Sequence, residues 1–184
     1  MARSAQHRDR LIQTAIRLFR QQGYASTGLA EILARSGAPK GSLYHYFPGG
    51  KEEIGAVAVA AAGRMVARTL EDALARTTTR AEFVAAYTGL LAHWSAASDF
   101  REGCPIATTM LETRLGSSRI ADAGREAFEN WLRLITHAFE RDGLDAPAAR
   151  DRATVFMASI EGALLLARVQ RSTAPLEQVA RAFG

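Results

Sequence analysis

The side chains best suited to holding a ligand crowd into residues 38–54, APKGSLYHYFPGGKEEI, where Lys40, Ser42, Tyr44, His45, Tyr46 and Lys51 stand close together. Their chemistry is non-covalent. Ammonium, hydroxyl, phenol and imidazole groups donate hydrogen bonds to phosphate oxygens and base edges, and an aromatic ring packs on a thymine methyl. Gly41, with no side chain, allows close backbone approach. Bond-making chemistry has no comparable support. The single cysteine, Cys104, excludes a disulfide framework and a cysteine-cluster zinc site, and there is no HExxH, phosphate loop or paired His–carboxylate motif. No catalytic, metal or cofactor residue is therefore expected.

A short helix over residues 40–47 would position these groups. Leu43 and Phe47 are spaced by four and share one face, so both turn inward and leave Lys40, Gly41, Ser42, Tyr44, His45 and Tyr46 on the other faces or at the N-terminal end. Pro48, Gly49 and Gly50 end that helix, and Lys51 opens the next, where backbone N–H groups offer a phosphate site. Upstream, a helix over 5–22 buries Leu11, Ile12, Ala15, Ile16, Leu18 and Phe19 and stops at Gly23. A second begins after Thr27, whose hydroxyl is expected to cap its first turn, and ends at Gly37. Two short helices across a tight turn, braced by a preceding helix, have the form of a helix-turn-helix, with the third helix in the major groove.

Charge follows the same division. Residues 1–51 carry eight Lys or Arg against Asp9 and Glu31, a net +6, whereas the remainder carries 15 against 17, a net −2. A basic N-terminal end suits a polyanionic partner. Strict apolar alternation is absent and apolar residues recur at three and four, so the protein is expected to be all-α with about nine helices. The later ones are expected near 51–76, 80–97, 106–115, 121–141, 147–171 and from 175 onward, with a linker over 100–105. The apolar run 54–62 is short and is followed by Arg64 and Arg68, so it does not span a bilayer. Arg3, Arg8 and Arg10 precede no unbroken apolar stretch of the secretory kind. A cytoplasmic protein with no membrane partner is expected.

Gly23-Tyr24, Thr27 with Ile32 five residues on, Gly37, the run Lys40-Gly41-Ser42-Leu43-Tyr44-His45-Tyr46-Phe47 and Lys51-Glu52-Glu53 together resemble the N-terminal domain of TetR-family transcriptional regulators. Gly103-Cys104-Pro105-Ile106-Ala107 and the Phe-Pro-Gly-Gly-Lys turn further resemble the family's LmrA/YxaF-like branch. The resemblance implies a DNA-binding domain over 5–65 and a helical ligand-binding and dimerisation domain over 66–184. It implies a homodimer on a palindromic operator in double-stranded DNA, released by a small molecule. Thr27, Tyr44, Tyr46 and Lys51 would contact phosphates, and Lys40, Ser42 and His45 would read the groove. Two departures stand out: Pro39 occupies a position where many members carry Ser or Thr, and Pro48-Gly49-Gly50 is one residue longer than the common turn.

Plainer readings stay open beside these. Tyr44 and Tyr46 could cover the small core, His45 could be a solvated surface residue, and the arginines of the first helix could be a solvated face. His93, Trp94, Phe100, Cys104, Met110, Phe128, Trp131, His137 and Met157 are candidates to line a pocket for a largely apolar effector, or are ordinary core. Phe156, Ile160, Ala163, Leu164 and Ala167, with Phe128 and Leu132 on the helix before, are the candidate dimer face, or are buried within one chain. Glu112 and Glu161 are isolated acids, read as arginine partners or as holders of a ligand's polar group. An enzyme built on the C-terminal helices and a DNA-binding regulator without a ligand are the rival functions.

Overall fold

Leu43 and Phe47 fix the short helix that matters most, because both side chains are fully buried while their neighbours are not. The structure, a computed structural model, describes residues 2–113 and 118–184. Among them are nine helices and no strand: α1 (Ala2–Gln22), α2 (Leu29–Ser36), α3 (Ser42–Tyr46), α4 (Gly50–Ala75), α5 (Arg80–Ala97), α6 (Pro105–Glu112), α7 (Arg119–Glu140), α8 (Ala146–Gln170) and α9 (Ala174–Phe183). The all-α expectation holds. Part of the helix expected over 106–115, and the turn expected at Gly116 and Ser117, lie outside the described residues.

Two boundaries differ from expectation for physical reasons. The hydroxyl of Thr27 does not cap α2. It donates back to the Gly23 carbonyl at 2.6 Å, and Gly28 takes the N-cap position without a side-chain bond. The third helix starts at Ser42, not Lys40, because Pro39 opens a turn whose carbonyl accepts from both the N–H and the hydroxyl of Ser42, at 2.9 and 2.6 Å.

The chain divides into two units. The first comprises residues 1–64 and 105–127, so α6 and the start of α7 join the N-terminal helices. Its core contains Leu11, Phe19, Ile32, Leu43, Phe47, Ile54, Ile106 and Ile120. Glycines let the later helices sit close: a Cβ on Gly55 would meet Tyr24 at 2.8 Å and Ile120 at 2.9 Å, and one on Gly63 would meet Ala127 at 2.6 Å.

The second unit holds residues 65–104 and 128–184. Phe139, Phe156 and Phe183 form a ring cluster with centroids 5.2–6.3 Å apart, and Phe83 and Leu176 of the same unit are fully buried. Thr79 and Glu82 form a capping box that starts α5. Arg141 ties the C-terminal end of α4, donating to the Leu74 carbonyl at 2.8 Å and the Thr77 carbonyl at 2.6 Å. α8 is long and apolar enough in composition to cross a bilayer, yet it buries Ala153, Phe156, Ile160, Ala163 and Ala167 as a continuous core stripe.

Candidate nucleic-acid interface

With Leu43 and Phe47 anchored, α3 turns a polar face outward. Tyr44 is 65 % exposed, and Lys40, Gly41 and His45 are exposed beside it. Ser42 and Tyr46 are half-buried, and the His45 ring meets Tyr46 edge-on at 4.9 Å. The Ser42 hydroxyl is already hydrogen-bonded to Pro39, so it presents its lone pairs more readily than its proton. Arg8 of α1 lies over the Phe47 ring, 5.7 Å from its centre.

Thr27 and Lys51 are placed differently from the rest. Thr27 is fully buried and serves the turn between α1 and α2. Lys51 is half-buried, with its ammonium 3.0 Å from the Ala25 carbonyl oxygen, to which it donates, and 4.6 Å from the centre of the Tyr24 ring. Burial of Tyr24, and then the nearby Glu52 carboxylate, pushes its phenol above the ordinary range, so it stays neutral under the lysine. The N–H groups of Gly49 and Gly50 are taken internally, by Glu53 at 2.8 Å and by the Phe47 carbonyl at 2.9 Å. Among the arginines, Arg35 pairs with Glu31 at 2.9 Å, whereas Arg10 and Arg17 are exposed on α1.

The candidate effector residues fall into separate groups. Met110 belongs to the first unit, where its sulfur lies against Gly124. His93 and Trp94 are on the exposed side of α5, and His137 is exposed 3.5 Å from Glu140. Arg133, Thr136, His137, Glu140 and Arg150 line a groove, in which His137 alone of the effector candidates takes part. Phe128, half-buried, meets buried Trp131 at 5.1 Å, and Phe100, Cys104 and Met157 are half-buried.

One grouping was not visible in the sequence. Tyr87, Cys104 and Glu161 are close enough to perturb one another. Burial, then Cys104 and Glu161, raises the Tyr87 phenol. Burial also raises the Glu161 carboxyl, partly offset by the Cys104 thiol that donates to it. The expected arginine partner of Glu161 is not what raises or lowers its pKa. Glu112 accepts from the backbone N–H of Ala25 at 2.7 Å.

The candidate dimer-face residues divide by burial within one chain. Phe156, Ile160, Ala163 and Ala167 are at most 4 % exposed, and Leu132 is also buried, because α8 packs them into the second unit's own core. Phe128 and Leu164 are half-buried. The apolar residues that α8 leaves outward lie on its opposite side: Val155 at 57 %, Leu165 at 63 %, Leu166 at 49 % and Val169 at 73 % exposed, with Ala158 and Gly162 among them.

Known proteins share this arrangement. Residues 11–56 match the family described as bacterial regulatory proteins of the tetR family, and residues 80–182 match the transcriptional regulator LmrA/YxaF-like C-terminal domain. The chain is 34 % identical over 169 residues to the HTH-type transcriptional regulator LmrA of Bacillus subtilis, spanning 92 % of this chain and 90 % of that protein. It is 31 % identical over 173 residues to the HTH-type regulator YxaF of the same organism, spanning 94 % and 91 %. The crystal structure of a regulatory protein TetR from Rhodobacter sphaeroides matches with a TM-score of 0.85 and 26 % identity, covering 95 % of each chain. Both matched families and the core-anchored helix-turn-helix lead to one conclusion: this chain belongs to the TetR family of DNA-binding transcriptional regulators and carries an LmrA/YxaF-like C-terminal domain.

Proposed function

We propose that the protein is a ligand-responsive repressor that binds a palindromic operator as a homodimer and leaves it when a small molecule occupies the second unit. The observation that carries the reading is α3, whose buried Leu43 and Phe47 hold Lys40, Gly41, Ser42, Tyr44 and His45 outward. Lys40 and His45 read base edges, and Tyr44 and Tyr46 contact phosphates. Lys51 reaches a phosphate only by giving up its bond to Ala25, and Thr27 shapes the turn instead of touching DNA.

Two copies are needed because one short helix reads only a half-site, and half-sites in successive major-groove faces lie about 34–36 Å apart. The row Val155, Ala158, Gly162, Leu165, Leu166 and Val169 is the face a second copy covers, since its small central residues let helices approach closely. Phe128, Trp131, Met157 and Cys104 line the effector site, with Tyr87 and Glu161 as its polar groups. The effector is accordingly a largely apolar molecule with one hydrogen-bonding end.

Binding to a fluorescent duplex taken from DNA upstream of the protein's own gene, across a salt series and against an unrelated duplex, tests the reading. Tight, sequence-specific binding that weakens steeply with salt is expected. Equal, weak binding to that duplex, to the unrelated one and to the products of a random-sequence selection would sink it.

A further inference from the structure

The turn between α1 and α2 is gripped from two sides. The N–H of Ala25 donates to Glu112 Oε2 of α6 at 2.7 Å, and the carbonyl of Ala25 accepts from Lys51 Nζ of α4 at 3.0 Å. Both backbone polar groups of one residue are thus held by side chains of opposite charge from two different helices. Glu112 is 87 positions from Ala25 in sequence, so no local propensity brings them together.

The seat of the Glu112 carboxylate is shaped for it. Gly23 has a φ of +86°, a region side chains disfavour, and a Cβ there would collide with Glu112 Oε1 and approach both Cδ and Oε2 to 2.9 Å. The absence of a side chain at Gly23 therefore serves the backbone and the carboxylate together. From this seat the constraint runs on in one step. The Gly23 carbonyl accepts the buried Thr27 hydroxyl at 2.6 Å, and Thr27 stands two residues before α2, the first arm of the helix-turn-helix. At its other end α6 begins at Pro105, where the chain passes from the second unit into the first.

We propose that Glu112 is a positioning residue for DNA binding: its carboxylate, by holding the Ala25 N–H, fixes the 23–27 turn and through it the arrangement of α2 and α3 that an operator requires. The inference rests on the reading of the chain as a DNA-binding regulator. Glu112 is exposed, and an exposed hydrogen bond adds little to global stability. Its effect falls on geometry, because a turn held in the bound arrangement avoids an ordering cost when DNA arrives. α6 then influences operator affinity through a single carboxylate.

The test uses the full-length protein and a duplex obtained by random-sequence selection with the wild type. Glu112→Ala removes the acceptor, whereas Glu112→Gln keeps one amide oxygen able to take the Ala25 N–H. Glu112→Ala is expected to weaken binding by about tenfold, and Glu112→Gln by no more than about threefold, with helical content and melting temperature unchanged in both. The Ala25 amide, followed by hydrogen exchange, is expected to be protected in the wild type and Glu112→Gln and to exchange faster in Glu112→Ala. Wild-type affinity in Glu112→Ala, equal losses in both variants, or a loss tracking a lower melting temperature overturns the inference. Should Glu112→Ala not fold, an unprotected Ala25 amide in the wild type overturns it and a protected one, with binding kept in Glu112→Gln, supports it. A wild type that selects no duplex refutes the DNA-binding reading instead.

Discussion

Tyr44 and Phe47 are three residues apart on one helix and differ completely in what they do, which makes them the sharpest pair for separating function from fold. Tyr44 is exposed, so Tyr44→Ala is expected to weaken operator binding by about 1 kcal/mol, typical of one lost hydrogen bond, at an unchanged melting temperature. Phe47→Ala empties a buried site and should cost about 3–5 kcal/mol in a thermal or denaturant melt. The sequence made this division legible because Leu43 and Phe47 sit at helical spacing. It could not show that Thr27 and Lys51 each have a competing local partner, the Gly23 carbonyl for the hydroxyl and the Ala25 carbonyl for the ammonium. Acids divide just as finely. Hydrogen bonds from the Thr78 backbone and hydroxyl, then the Thr79 backbone, hold the Glu82 carboxyl below its ordinary range. Its contribution is therefore present at neutral pH and lost as pH falls through that lowered value. Burial holds Glu161 above its ordinary range, so the folded state keeps that proton more firmly than the unfolded state does. The associated stability is present in acid and lost as pH rises through the raised value. Glu161→Gln should therefore melt higher than the wild type at pH 8, with a gap that closes towards pH 4, read by calorimetry across pH.

At the scale of an element, α8 shows where periodicity runs out. It is apolar on two opposite sides, one buried against α9 and α5 and the other carrying Val155, Leu165, Leu166 and Val169 outward. A helix whose two sides are both apolar has no phase to read from composition, so the sequence does not say which side is buried within the chain. Tertiary packing alone distinguishes them. Leu166→Glu is expected to give a folded monomer by light scattering, with operator affinity reduced at least about tenfold because each half-site then binds alone. Ile160→Glu places a charge in the core and should unfold the second unit, seen as loss of near-ultraviolet dichroism. α3 carries the complementary lesson. Its start moved to Ser42 because Pro39 lacks an N–H and directs the chain into a turn, a local effect that helical spacing does not report.

At the scale of the whole molecule, the charge division at residue 51 and the all-helical architecture were both legible, because each is a sum over many residues and survives errors at any one. Basic charge at one end predicts an affinity that falls steeply with salt, and removing Lys40, a base-edge reader, should narrow the gap between operator and unrelated duplex by about 1–3 kcal/mol, whereas removing Arg133 should leave that gap unchanged. The return of residues 105–127 to the first unit was not legible, since only contacts distant in sequence, such as Gly55 with Ile120, establish it. That return carries a consequence for synthesis on the ribosome. A nascent chain of 64 residues already contains α1 to α3, yet it lacks Ile106 and Ile120, the buried residues that finish the same core. At ordinary elongation rates the missing stretch arrives roughly 3–13 s later. In that interval the basic end is made while Gly55 and Gly63 of α4 still lack Ile120 and Ala127, the neighbours that close over them.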